Sequence, residues 1–230
     1  MRRTLIWGTL AAFLMLVFGM GASLDAQMGM GMQTPGMSGI WHPVVGSGAA
    51  YDITVSDNQK HQMEITVVGK EEVEGKTAYW IEMATSNPRS GGDMYMKYLV
   101  APGENGMTSM RMIMQQPGQQ PMEMETNLMN GRQGQSLPSD IDQKAERVGS
   151  ESVTVPAGTF TCEHYRMKDG SADVWISDKV APWGIVKTQG KDSSMVLTRL
   201  ITDAKDHITG TPTKFDPMQM MRDRMGQRGQ

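Results

Sequence analysis

The stretch SVTVPAGTFTCEHYRMKDGSADVWISDKVAPWGIVKTQGKDSSMVLTRL, Ser152 to Leu200, decides the fold. Val153 and Val155 alternate with small polar residues until Pro156-Ala157-Gly158 turns the chain. A second run, Thr159 to Met167, ends at Lys168-Asp169-Gly170, a short hairpin signal. In the third run Ala172, Val174 and Ile176 fall on one face and Asp173, Trp175 and Ser177 on the other, as a two-residue period requires. Pro182-Trp183-Gly184 breaks the alternation, and Ile185 to Gln189 can pair with Ser194 to Leu200 across Gly190-Lys191-Asp192. The spacing predicts an antiparallel meander.

The same period continues upstream. Tyr51, Ile53 and Val55 share one face, then Met63, Ile65 and Val67, then Tyr79, Ile81 and Met83 alternating with Trp80 and Glu82. Three further runs, Met94 to Val100, Met107 to Gln115 and Pro121 to Thr126, are closed by Pro and Gly turns. Helix signals are few. One segment, Ser139 to Val148, has a capping residue at Ser139 or Asp140 and places Ala145 and Val148 inward. A second starts at Asp216, with Pro217 in its first turn.

Val155-Pro-Ala-Gly-Thr-Phe160, His164-Tyr165, Trp175-Ile-Ser177 and Pro182-Trp-Gly-Ile-Val-Lys187 resemble uncharacterised bacterial exported proteins of the domain-of-unknown-function kind, whose fold is similar to the periplasmic lipoprotein carriers. The resemblance covers the last third of the chain, and Gly46 to Glu82 is loosely of the same kind. It implies a mainly β fold, a single curved antiparallel sheet or half-barrel around an apolar concave face, joined by the one or two short helices above. It carries over no catalytic residues.

At 230 residues and 39% hydrophobic content, the chain is long enough for one domain with a sizeable core. Arg2-Arg3, the apolar run Leu5 to Met20 and the small residues before Gln27 read as a signal peptide over 1–26. No Cys follows it for lipid attachment, so a soluble periplasmic or secreted protein without a stable membrane anchor is expected. The formal charge is −3, and loss of Arg2, Arg3 and Asp25 makes the remainder one unit more negative. A mildly acidic chain without a basic stripe gives no case for nucleic acid. Residues 27–48 read as a flexible Gly/Met-rich arm, 49–202 as the antiparallel β domain, and 203–230 as a disordered tail.

Cys162 is the single cysteine, so the core is held by apolar burial and not by an internal disulfide. Phe160, Cys162 and His164 share a strand face. A buried thiol acting as a small hydrophobe accounts for Cys162 better than a Cys–His pair, because i, i+2 neighbours on a strand diverge. Asp140 and Asp142 do not face each other on a helix and read as a solvated first turn. No G-x-S-x-G, phosphate-cradling loop, H-E-x-x-H or zinc-spaced Cys pair occurs, and no enzymatic activity is expected.

The methionines are the unusual feature. Met94 and Met96, Met110, Met112 and Met114, and Met122 and Met124 recur at i, i+2, so pairing of their strands in order puts seven thioethers on one face. Three readings apply to them. They fill an irregular core; they line an adaptable pocket for an apolar, lipid-like ligand, with no cofactor; or they hold copper, since thioether sulfur suits Cu(I). In the copper reading Met28, Met30 and Met32 of the arm act with Met110, Met112 and Met114. The lipid-binding reading is preferred.

Overall fold

The computed structural model describes residues 41–55, 59–87, 92–103, 106–125, 136–138 and 145–215. Among the described residues thirteen strands form one sheet: β1 (Gly48–Val55), β2 (Gln59–Val73), β3 (Lys76–Asn87), β4 (Gly92–Gly103), β5 (Gly106–Gln115), β6 (Met122–Glu125), β7 (Ser136–Pro138), β8 (Ala145–Val155), β9 (Gly158–Met167), β10 (Ala172–Ile176), β11 (Ile185–Gly190), β12 (Ser194–Ile201) and β13 (Thr213–Lys214). Their spatial order is β13-β6-β5-β4-β3-β2-β1-β12-β11-β10-β9-β8, with β7 paired to β5. Two meanders, β1–β6 and β8–β12, are therefore fused by the β1–β12 pair, in which Tyr51 lies opposite Leu197. Pairing is antiparallel throughout except for β13 on β6.

Turn chemistry explains the first meander. Val73 pairs with Lys76, so β2 and β3 are joined by two residues, Glu74 at φ +51° and Gly75 at φ +77°. Positive φ at both positions is the twist-matched hairpin turn, and glycine carries the second at no steric cost. Gly48 is required for a different reason. A Cβ there would lie 2.3 Å from the Ile65 carbonyl oxygen, so only glycine lets β1 approach β2 this closely.

The sheet is open and curved. β8 touches β11 and β12, three and four places away in the strand order, whereas a flat sheet would hold such strands about 14–19 Å apart. The curl closes on the face carrying Ala49, Tyr51, Met63, Ile65, Val67, Ile81, Val100, Phe160, Cys162, Ile185, Met195 and Leu197, one buried cluster drawn from both meanders. Tyr51 lies inside it and donates its hydroxyl to the Ile185 carbonyl at 3.0 Å; burial raises its pKa further above the ordinary phenol value. This is the inner face.

Three expectations need correcting. Among the described residues there is no helix, and Ala145 to Val148, expected to end one, begin β8, where Ala145 pairs with Met167 of β9. A long neighbouring strand offers backbone partners at every second residue, which outweighs one weak capping signal. Residues 139–144 and the Asp216 helix lie outside the described residues. The arm is packed from Trp41 onward: the His42 amide donates to the Pro182 carbonyl at 3.0 Å and the Gly46 amide to Val67 at 2.8 Å. The expected tail also begins as part of the fold, since the Ala204 amide donates to Gly46 at 2.9 Å, Ile208 is buried, and the Phe215 amide donates to Glu123 at 2.8 Å.

Candidate ligand-binding face

Register brings the methionines together across strands more than along them. Met83 of β3 faces Met96 of β4, Met96 faces Met114 of β5, and Met114 faces Met122 of β6. Four thioethers thus form one rank on four adjacent strands. The next rank runs Ile81, Tyr98, Met112, Met124, and Met94 stands opposite Thr85 beyond the first. Because Ile65 pairs with Met83 and Val67 with Ile81, both ranks belong to the inner face. Met83, Met96, Met114 and Met122 are half-buried, whereas Met112 and Met124 are buried.

Met110 does not join them. The β4–β5 register shifts between Leu99 and Val100, so Met110 and Arg111 both stand against Leu99 while Ser109 takes the inner position opposite Val100. This is a β-bulge, which puts two consecutive side chains on one side of a strand. Met110 accordingly packs on the outer face against the cluster of Ala78, Leu99 and Ala101. The seven-methionine face of the sequence becomes six of those seven plus Met83. The Met110–Met112–Met114 metal set is split between two faces, and Met28, Met30 and Met32 lie outside the described residues.

Toward the β2–β3 turn the inner face opens into a hollow of about 480 Å3, lined by Trp41, Pro43, Lys76, Thr77, Tyr79 and Pro102. Trp41 shapes it. Its ring meets Tyr79 edge-on at 6.0 Å and leans on Trp183 at 4.5 Å. Tyr79 and Met83 are four residues apart on one face of β3, so hollow and thioether rank are separated by about 13 Å along the strand. Sequence patterning missed this end of the face; the signal was Trp41 itself, a lone aromatic in a Gly/Met-rich segment.

Tyr98 donates its hydroxyl to the Met96 sulfur between the two ranks. Burial pushes its pKa up to about 12, so it stays a neutral donor.

The outer face of the same strands is charged. Glu82 is 1% exposed and accepts the His207 amide at 3.1 Å, with His207 Nδ1 2.7 Å away. Burial raises its carboxyl above the ordinary value, opposed by the His207 bonds. Lys97 pairs with Asp206, and Tyr95 stacks on His207 with ring centres 4.9 Å apart. Arg111 bonds Glu123 at 2.6 Å and Glu71 at 3.1 Å; its guanidinium and the Lys97 ammonium each lie 5.2 Å from the centre of the Trp80 ring.

The second meander holds Cys162 and His164 on one face, as expected, but not as a pair. The thiol lies 3.7 Å from the Phe160 carbonyl, while His164 Nε2 is 2.7 Å from Asp173 and Nδ1 3.2 Å from Glu151. Both ring nitrogens are taken by carboxylates. Burial, with the Glu151 charge adding, pushes the thiol up to about 11, away from the reactive thiolate. For Asp173 burial works to raise the pKa, but the bonds from His164 and Arg166 outweigh it and hold the carboxyl below its ordinary value.

No family model matches the chain, and no curated protein matches it. Among solved structures it is similar to a protein described as a lipoprotein from Parabacteroides distasonis, with 14% identity over 70% of this chain and 97% of that one and a TM-score of 0.37. It is also similar to an exported protein with a YmcC-like fold from Bacteroides fragilis, at 12% identity, 70% and 97% coverage and TM-score 0.34. A DUF1329 family protein from Desulfovibrio piger matches at 11% identity, 69% and 85% coverage and TM-score 0.30. These three neighbours are described as a lipoprotein, an exported protein and a DUF1329 family protein.

Proposed function

We propose that the protein is an extracytoplasmic, non-enzymatic carrier that holds an apolar, lipid-like ligand against the inner face of its sheet. The observation that carries the reading is the continuity of one apolar surface, from the hollow at Trp41 and Tyr79 to the half-buried methionines Met83, Met96, Met114 and Met122. Unbranched thioether side chains adapt their shape to varied apolar ligands, and burial against them contributes about 25 cal/mol per Å2 of apolar area before the costs of binding. Lys76, on the rim of the hollow, is the one charged residue lining it among the described residues and suits a ligand with an acidic head. No covalent step is required, since holding and releasing a lipid needs only this surface.

The test is direct. Native mass spectrometry of the chain isolated from the cell envelope should show bound lipid, and a fluorescent fatty acid should bind the delipidated protein. Met114→Arg places a charge in the middle of the face and should weaken probe binding at least tenfold. A protein that carries no lipid and does not bind the probe overturns the reading.

A further inference from the structure

We infer that the rank Met83, Met96, Met114 and Met122 is a soft-metal site, taking Cu(I) or Ag(I) through its thioether sulfurs. The four residues stand directly opposite one another on consecutive strands. Neighbouring strands are about 4.8 Å apart, and each methionine has three rotatable side-chain bonds, so adjacent sulfurs can converge on a single ion without moving the backbone. Access differs between ranks. All four are half-buried, while Met112 and Met124 one rank away are closed off. The Tyr98 hydroxyl reaches the Met96 sulfur, so this sulfur is turned along the face.

The donor set fixes the class of ion. Thioethers are neutral and soft, a combination that suits Cu(I) and discriminates against Mg2+, Ca2+ and Zn2+, which favour oxygen, imidazole or thiolate. Among the described residues no group of three or more His, Cys, Asp or Glu is placed to hold a metal, and the site is built of thioethers throughout. The inference does not rest on the lipid-carrier reading, although both use the inner face. Replacing methionine by leucine removes sulfur and keeps apolar volume, so the two can fail separately.

The β5 bulge supplies an internal control. Met110 shares sequence parity with Met112 and Met114 yet lies on the outer face, and Met110→Leu should leave binding at the rank unchanged. The experiment is an anaerobic competition titration of the full chain with Cu(I) against a chromophoric chelator. The double variant Met96→Leu, Met114→Leu should take up one ion fewer, or bind that ion at least tenfold more weakly; fatty-acid binding is read separately, on the unaltered chain. A titration unchanged in the double variant, or equally altered by Met110→Leu, overturns the site. A second measurement needs no variant: on adding Ag(I) to the unaltered chain, the methyl resonances of Met83, Met96, Met114 and Met122 should shift while those of Met63 and Met110 stay. Shifts absent from the rank, or equal in Met110, also overturn it.

Discussion

Strands β3, β4 and β5 present opposite chemistry on their two sides. Inward they show Ile81, Met83, Met96, Tyr98, Met112 and Met114; outward they show Glu82, Lys97 and Arg111 around Trp80 and Leu99. Glu82 and Lys97 are buried and Arg111 is part-exposed, and their partners come from other parts of the chain: Asp206 and His207 from the C-terminal segment, Glu71 from β2 and Glu123 from β6. A buried charge without a partner is costly, so this side works only when covered. Thioethers impose no such demand. The inner side can stay open and change occupants because its thioethers need no fixed hydrogen-bonding partner.

If that contrast is right, the largest effect of mutation should fall on the covered side. Leu99→Ala removes a side chain with no exposure between Ala78 and Ala101 and should cost about 2–5 kcal/mol, read as a lower urea midpoint. Met114→Ala, on the open side, should cost clearly less; equal losses would mean the inner face is as closed as the outer one. Arg111→Ala breaks two ion pairs of a guanidinium that is 39% exposed, and solvent screening limits the loss to about 1 kcal/mol.

Acid and base should separate the faces further. Burial raises the Glu82 carboxyl, so its contribution to stability is fully present below its ordinary value of 4.5 and is lost as pH rises through the raised value. Glu82→Gln abolishes that titration. Denaturation midpoints of the variant should therefore fall less than those of the natural chain as pH increases from about 4 to 7, and parallel profiles would remove Glu82 as their cause. The smallest effect should come from Met96→Leu, a volume-conserving change on the open face that shifts stability by less than Arg111→Ala does, well under about 1 kcal/mol, while reducing Cu(I) uptake.

Most strands were legible because a half-buried sheet writes its own period into the chain, as Tyr51, Ile53 and Met63, Ile65, Val67 show. The first half of β8 was not, because the strand pairs only with β9 among the described strands and exposes most of its residues from Glu146 to Ser152, leaving alternation to read only at Val153 and Val155. The parity of Met110 was misread for another reason: the bulge depends on pairing with Leu99, and no Gly or Pro within Ser109 to Met114 marks it. The Glu82–His207 contact spans 125 residues and has no local signal at all.

The sheet is open, and its two ends are unlike. At one end β13 is two residues long, too short to template another chain. At the other, β8 runs for eleven residues with a free backbone edge among the described strands, and it carries Glu146, Arg147 and Glu151 exposed along it. Fixed charge on a long edge repels or misaligns a second strand that would otherwise add on and continue the sheet. A protein that keeps an apolar hollow open to solvent is exposed to self-association, and here the edges are guarded so that growth from copy to copy does not begin where backbone hydrogen bonds would make it hardest to reverse.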